Sequence, residues 1–190
     1  MNQQQRKSFY NRQNRGFYEG TVENINQQWI FFEHESDEAF SLDEYIDQEI
    51  EVYREKQWCR GLLREDGHVM LKRGLYYLQD EEQVKIRKPL NFSFEKLLDE
   101  LSDDSFLQFI TVLNSLEFSI YDNVYSYNQL LFSEHTDAKS GVNFLFFDNG
   151  EVICAVQHHF LYSESKHDRF EFTMNTGKRI IIEKMNSKQN

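Results

Sequence analysis

The chain has 190 residues and a formal net charge of −11, and 39% of its residues are apolar and 15% aromatic. With only 8 Gly and 1 Pro, this composition is typical of a globular protein and argues against low complexity or long disordered linkers. Its acidity disfavours non-specific binding to phosphate backbones or anionic lipid. No secretory h-region is present, no apolar run approaches the ~18 residues of a membrane span, and the two Cys residues lack a disulfide framework. A cytoplasmic protein without a membrane partner is therefore expected.

The first segment, residues 1–16, is polar and is predicted to form a short surface helix or a basic arm. Its good helix formers favour the helix, and Gly16 can terminate it as a C-cap residue. Four cations precede the first acidic residue of the chain: Arg6, Lys7, Arg12 and Arg15.

Residues 17–88 are predicted to form a small antiparallel β-barrel of the SH3-like kind. Thr21–Ile25 and Trp29–Glu33 are β-branched or aromatic and indicate a hairpin. A meander of short strands runs from Glu49 to Lys88, and its Asp66-Gly67 turn suits the positive φ angles of a type I′ hairpin. Five to six strands in about 70 residues match the size of such a barrel.

Pro89 marks the predicted boundary before a second domain, residues 91–190. Two amphipathic helices are predicted first, the second carrying its apolar residues at helical spacing. Strands follow, with hairpin turns at Asp148-Asn149-Gly150 and Asn175-Thr176-Gly177. The predicted fold class is thus α+β: the small barrel, then two helices packed on an antiparallel sheet of about four strands.

The pair His158-His159, with Cys154 nearby, is the first candidate for a metal site. In a strand, Cys154 and His158 share a face but lie ~13 Å apart, whereas zinc ligands converge to ~2.0–2.3 Å from the ion. The segment alone cannot chelate, and a site would need one of three further side chains: His135, His167 or Asp168. No nucleophile elbow, phosphate loop or dinucleotide fingerprint is present. We therefore predict no catalytic residue, no metal and no cofactor.

Four aromatic residues of the barrel are the predicted binding residues: Trp29, Trp58, Tyr76 and Tyr77. On this interpretation the chain is a non-enzymatic protein-binding or adaptor module, and its partner is another protein. The same rings could equally form the core of so small a barrel, which the pattern leaves open.

Two alternatives belong to other functional classes. The first is nucleic-acid binding through the N-terminal arm and the strand end Lys85–Lys88, joined by Arg60, Arg64 and the pair Lys72-Arg73. Cations interleaved with aromatic rings are what single-strand binders use. The second is an enzyme with a site between the two halves, near Pro89.

Two segments carry a resemblance to known proteins: GTVENINQQWIFF, Gly20–Phe32, and KQWCRGLLREDGHVML, Lys56–Leu71. Through them the chain resembles an uncharacterised family of short acidic proteins from spore-forming Gram-positive bacteria, along most of its length. The resemblance implies a cytosolic bacterial protein and brings no functional residues with it.

Overall fold

The computed structural model of the chain describes residues 3–36, 38–133 and 138–187. Its helices are α1 (Gln3–Asn11), α2 (Phe92–Glu100) and α3 (Asp103–Ser115). Its first eight strands are β1 (Phe17–Ile25), β2 (Gln28–Glu33), β3 (Ala39–Ser41), β4 (Glu49–Arg54), β5 (Gln57–Leu63), β6 (His68–Leu71), β7 (Gly74–Tyr77) and β8 (Glu82–Arg87). The remaining strands are β9 (Asn123–Tyr127), β10 (Lys139–Asp148), β11 (Ile153–Tyr162), β12 (Ser165–Met174) and β13 (Arg179–Ser187).

The chain divides into two units, and one is inserted into the other. Gly16–Lys88 forms the inserted unit, while the residues before Gly16 and those after Lys88 together form the second. The backbone N–H of Lys88 donates to the carbonyl of Gly16 at 3.0 Å, so the two ends of the inserted unit are adjacent.

The inserted unit is one antiparallel eight-stranded sheet, in the order β3-β2-β1-β8-β4-β5-β6-β7. Alternation explains its two faces: in β4, Ile50 and Val52 are fully buried, while Glu49 and Glu51 point to the other face. The inner faces of six strands share one core, and Trp29 of β2 lies against Gly67, just before β6. The sheet is therefore strongly curved.

The predicted SH3-like barrel is wrong, because this curved sheet does not close. Its edge strands β3 and β7 are not hydrogen-bonded to each other in the part of the chain that the structure describes. Closure requires pairing between the first and last strands, which strand count and turn spacing do not encode. The acidic segment after β2 also contributes a strand, β3, and a 3₁₀ turn at Leu42–Tyr45, which carries buried Leu42 and Tyr45.

The second unit packs helices against one face of a five-stranded antiparallel sheet, ordered β13-β12-β11-β10-β9. Its core joins α2 and α3 to the inner residues of the sheet, with Phe109 packed against Phe147, Phe170 and Phe172. The α+β prediction needs correction here too. The sheet has five strands rather than about four, a third helix, α1, belongs to this unit, and the described chain as a whole is mainly β.

The N-terminal segment is held in the second unit by its aromatic and basic side chains. Phe9 and Tyr10 of α1 make edge-on contacts with Phe106, at centroid distances of 6.1 and 6.0 Å. The guanidinium of Arg6 donates to the carbonyls of Leu98 and Leu101 at 2.5 and 2.8 Å. Arg6 therefore satisfies carbonyls that the end of α2 leaves without helical partners.

Candidate functional site

The four predicted binding residues divide between the two faces of the eight-stranded sheet. Trp29 and Tyr76 are partly buried and pack against the inner core. Trp58 and Tyr77 lie on the outer face and are 38% and 59% exposed. Tyr77 contacts the ring of His68, its cross-strand partner, at 3.8 Å between centroids. The structure thus does not bring the four rings together into one surface.

Trp58, one of the four, lines a cleft in the inserted unit. The cleft has a volume of about 340 Å³ and lies where the β4–β5 and β6–β7 turns meet. Its charged lining residues are four cations and one acid: Arg54, Arg60, Lys72, Arg73 and Glu55. We call this site the Trp58 cleft. Its positive charge stands out because the inserted unit has nine Lys/Arg against 17 Asp/Glu, a net charge of −8.

The cations of the Trp58 cleft differ in how far they are already engaged. Arg60 donates to Glu51 at 2.9 and 3.0 Å, which raises its pKa. The guanidinium of Arg54 lies 3.7 Å from the ring centroid of Tyr76. Lys72 and Arg73 are exposed on the β6–β7 turn and make no ion pair with any residue that the structure describes. These two cations are therefore available to an anionic ligand.

The Trp58 ring is held in place by its neighbours. Tyr53, its cross-strand partner, lies 5.1 Å away between centroids. The ammonium of Lys85 lies 4.6 Å from the Trp58 centroid, in cation–π geometry, and 2.5 Å from a Glu19 carboxylate oxygen. Because these contacts fix its orientation, the ring offers a rigid apolar wall to a ligand.

The other basic segments singled out in the sequence are largely engaged within the fold. Arg15 donates to both carboxylate oxygens of Asp122, at 2.8 and 2.5 Å. Arg6 is occupied at the end of α2. At the strand end Lys85–Lys88, Arg87 is 9% exposed and donates to Glu49 at 2.7 Å. Among these cations, Lys7, Arg12 and Arg15 are exposed, and Arg15 is the one of these three that the bonds to Asp122 hold.

A larger cleft, of about 530 Å³, lies in the second unit beside Arg12 and Arg15. Its lining is polar and carries charges of both signs, including Glu117 and Glu151. Arg15 is neutralised there by Asp122, so the cleft lacks both an apolar wall and an excess of one charge. Volume alone does not make it the stronger candidate.

His158 and Asp168 meet in the core of the second unit, as part of a buried polar network. His158 Nε2 lies 2.9 Å from Asp168 Oδ1, and both side chains are fully buried. Ser105 and Tyr162 also donate to Asp168, at 2.5 and 2.6 Å. On the other side of the ring, Asn143 Nδ2 lies 3.1 Å from His158 Nδ1. If Asn143 donates to Nδ1, then Nε2 carries the proton that His158 donates to Asp168.

The environment of this network fixes its charge states. Burial lowers the pKa of His158, although the hydrogen bond to Asp168 acts in the opposite sense. Burial alone would raise the pKa of Asp168, but hydrogen bonds from His158, Ser105 and Tyr162 outweigh it and leave the pKa below its usual value. A neutral imidazole against a carboxylate is thus favoured. With its members buried, the network is built to support the packing of α3 on the sheet.

The metal-site candidates are not assembled into a chelating cluster. His167 lies 2.7 Å from Glu183 on the outer face of the sheet, away from inward-facing His158. Cys154 is buried, and burial raises the pKa of its thiol to about 11. His135 lies outside the described residues. Within those residues, no group of three His, Cys, Asp or Glu side chains is placed to hold a metal ion.

Sequence reasoning weighed His158 and Asp168 as metal ligands and missed their pairing with each other. The β11–β12 hairpin contained the signal. With the turn of this hairpin at Ser163-Glu164, Phe160 of β11 lies opposite Asp168 of β12. His158 is two residues before Phe160 on β11, so it lies on the same inward face and next to Asp168. Ser105, 63 residues away from Asp168, could not be found in this way.

No helix among the described residues is both long and apolar enough to cross a membrane.

Comparisons with known proteins place the chain in a family. The model of a family described as "Protein of unknown function (DUF2777)" matches residues 4–184. "Uncharacterized protein YisN" of Bacillus subtilis (strain 168) is 42% identical to this chain over 106 residues, which are 55% of this chain and 54% of that protein. The chain thus spans about half the length of this curated relative. No solved structure matches.

These matches confirm the resemblance to an uncharacterised family from spore-forming bacteria. The likeness to SH3-like barrels receives no such support. Because the family model covers nearly the whole sequence, the chain belongs to the DUF2777 family.

Proposed function

We propose that the inserted unit is a non-enzymatic binding module that takes an acidic segment of another protein into the Trp58 cleft. The observation that carries the proposal is the composition of this cleft: four cations and one acid around an exposed Trp, on a unit of net charge −8. Aromatic and Arg side chains are the residue types that dominate binding energy at protein interfaces.

The charge distribution supports a short anionic ligand. Lys72 and Arg73 lie free of ion pairs with the described residues, so a ligand carboxylate need not displace an existing partner. Beyond about 8 Å, screening at physiological ionic strength leaves the acidic remainder of the unit with little effect on a ligand in the cleft. An acidic peptide segment of a few residues therefore experiences the local positive charge.

The arrangement of the rings favours a protein ligand over single-stranded nucleic acid. Single-strand binders stack successive bases on several exposed rings along a basic groove. In the Trp58 cleft one ring is available, and the N-terminal cations Arg6 and Arg15 are engaged elsewhere. A longer phosphate chain would also extend beyond the cleft onto acidic surface.

The test is fluorescence anisotropy with the full chain and a fluorescein-labelled peptide rich in Asp and Glu that contains one Phe. We expect Lys72→Glu combined with Arg73→Glu to weaken binding about tenfold or more, because both available cations are reversed. We expect Trp58→Ala to weaken binding by about 30-fold with only a small fall in the melting temperature, since Trp58 lies on the outer face and its contacts there are with Tyr53 and Lys85.

Lys178→Glu is the control for Lys72→Glu alone, because it makes the same single charge reversal at an exposed turn of the second unit. No binding of the peptide to the wild-type chain, or equal weakening by the control, would contradict the proposal. So would a parallel loss of melting temperature and binding in Trp58→Ala, which would return this ring to a purely structural role. A labelled single-stranded oligonucleotide that binds more tightly than the peptide, with a steep salt dependence, would favour the nucleic-acid alternative.

A further inference from the structure

The five-stranded sheet has a second face, opposite the one on which the helices pack. Strand alternation places Phe144 and Phe146 of β10 on this outer face, because Leu145 and Phe147 face the core. Cross-strand pairing sets Tyr127 opposite Phe144 and Tyr125 opposite Phe146. Phe132, from the 3₁₀ turn after β9, stacks on Tyr127 at 6.2 Å between centroids.

These five rings form one exposed cluster, which we call the aromatic face. Their exposed fractions are 53% for Tyr125, 43% for Tyr127, 73% for Phe132, 41% for Phe144 and 40% for Phe146. Two pairs of rings are in contact, Tyr125 with Phe146 at 6.1 Å between centroids and Tyr127 with Phe132, and the strand pairing sets Tyr127 opposite Phe144. Isolated exposed apolar residues are ordinary, but a contiguous cluster marks an interaction surface.

The aromatic face supplies more than half of the area that a stable dimer needs. At 150–250 Å² for a whole aromatic side chain, the exposed fractions amount to roughly 500 Å². The same outer face also carries three aliphatic side chains that are 45–49% exposed: Ile153, Leu161 and Ile181. Together they approach the roughly 800 Å² per partner of a standard interface.

The charges around the aromatic face favour a second copy of the same chain. The residues that continue its rows across β11 and the Phe146 row onto β12, Ala155, Gln157 and Thr173, are uncharged, and Asp148 is an exposed acid at the end of β10. Further along, Glu171 pairs with Arg169 at 2.6 Å and with Arg179, and these cations lower its pKa. An identical face brought against this one therefore meets little like-charge repulsion, while a phosphate chain finds few available cations.

At the edge of the sheet beside the aromatic face, packing of face on face is favoured over pairing of edge strands. The edge strand β9 is only five residues long, and its pairing with β10 shifts register between Phe146 and Phe147. Short edge strands and bulges are features that prevent edge-to-edge pairing. These features concern the edge of the sheet and leave the exposed rings of the outer face accessible to a partner.

We propose that two copies of the chain associate through their aromatic faces, with the five-stranded sheets stacked about a twofold axis. The rings of the two copies interdigitate as in the core of a β-sandwich, with the sheets roughly 10 Å apart. The Trp58 cleft belongs to the other unit, so this inference is independent of the function proposed above.

The test measures the mass of the full chain by sedimentation equilibrium over a range of micromolar concentrations. The wild-type chain should approach twice its 23.0 kDa mass. Phe144→Lys combined with Phe146→Lys should weaken the dimer about 100-fold or more, because two central rings are lost and buried charges are introduced. Both side chains face outward, so circular dichroism and the melting temperature of the variant monomer should stay close to those of the wild type.

The matched control replaces Leu75 and Tyr77 by Lys, since these side chains are also exposed neighbours on one strand but belong to the other sheet. It should leave the dimer intact. A rescue distinguishes a lost interface from a damaged fold: the Lys variant mixed with the corresponding Glu variant at Phe144 and Phe146 should form a heterodimer. A monomeric wild-type chain, a dimer unaffected by the Lys variant, or one dissociated by the control overturns the proposal. The first of these outcomes would assign the aromatic face to a different protein.

Discussion

Replacing Asp168 by Ala is the sharpest perturbation of the buried network. Its carboxylate accepts hydrogen bonds from Ser105, Tyr162 and His158, at 2.5, 2.6 and 2.9 Å. Alanine removes the acceptor for all three donors at once, and all three donors are buried. The change also leaves a cavity between α3 and the sheet. We therefore expect Asp168→Ala to destabilise the second unit strongly.

The magnitude follows from the number of donors left without an acceptor. Each buried donor that loses its partner costs about 1–3 kcal/mol. The Ser105 hydroxyl can turn toward Ser102 Oγ, which lies 2.9 Å away, so two donors carry most of the cost. We expect a loss of about 4 kcal/mol, a large part of the roughly 5–15 kcal/mol by which domains are stable. Asp168→Asn keeps the shape of the side chain and one acceptor oxygen, so the loss of stability should be about 1–2 kcal/mol.

The assay must report on the second unit, because Trp29 and Trp58, the two Trp residues of the chain, both lie in the inserted unit. Tryptophan fluorescence would therefore follow the wrong sheet. Hydrogen exchange of the amides of β11 and β12 gives the free energy of opening where the network lies. Urea denaturation followed by far-ultraviolet circular dichroism supplies the global value.

Asp99→Ala is the control, since Asp99 is exposed on α2 and should change stability by no more than about 0.5 kcal/mol. The reasoning is refuted if Asp168→Ala costs no more than this control. It is also refuted if Asn and Ala at position 168 are equally destabilising, because the argument depends on the acceptor rather than on the volume.

Three further predictions concern other buried groups. Burial lowers the pKa of His158 from 6.5, so the unfolded chain takes up this proton at a higher pH than the folded chain does. The second unit should therefore be fully stabilised by this group above pH 6.5 and should lose up to about 1.4 kcal/mol of stability per pH unit as the pH falls below 6.5. His158→Gln should remove this pH dependence of the opening free energy measured by hydrogen exchange, and an unchanged pH dependence would contradict the prediction. Gly67→Ala should destabilise the inserted unit by more than about 1 kcal/mol, because the φ of Gly67 is +70° and a Cβ there would overlap the Trp29 ring. Urea denaturation monitored by tryptophan fluorescence measures this loss, and an unchanged stability would contradict the packing of Trp29 on Gly67. In the native chain, iodoacetamide should label Cys59 faster than buried Cys154, whose thiol pKa is raised to about 11. Mass spectrometry of the labelled peptides measures the two rates, and faster labelling of Cys154 would contradict the prediction.

Local features of the fold could be predicted because neighbouring residues determine them. Asp66 and Gly67 have φ angles of 57° and 70°, as their suitability for a tight turn predicts. Ser102 accepts a hydrogen bond from the backbone N–H of Ser105 and caps α3. The start of α2 shows the limit of such reasoning: Ser93 is a plausible cap in the sequence, yet Asn91 accepts from the Ser93 N–H and begins the helix.

The remaining features depend on pairings between distant parts of the chain. β1 pairs with β8 across some 60 residues, with Gly20 opposite Val84, and no local pattern specifies that register. For the same reason the sequence could not decide which of Trp29 and Trp58 faces the core. Both lie in strands of similar composition, and only the strand order around them fixes which face is covered.

The insertion of one unit into the other has a consequence for the order in which the chain folds during synthesis. The acceptors of Arg6, the carbonyls of Leu98 and Leu101, follow it by 92 and 95 residues. At roughly 5–20 residues per second, the ribosome delivers them about 5–20 seconds after α1. The eight strands of Gly16–Lys88 are complete in the meantime. The nascent N-terminal helix therefore exposes Phe9 and Tyr10 until α3 emerges. We expect a chaperone that binds exposed apolar side chains to bind this helix during that interval.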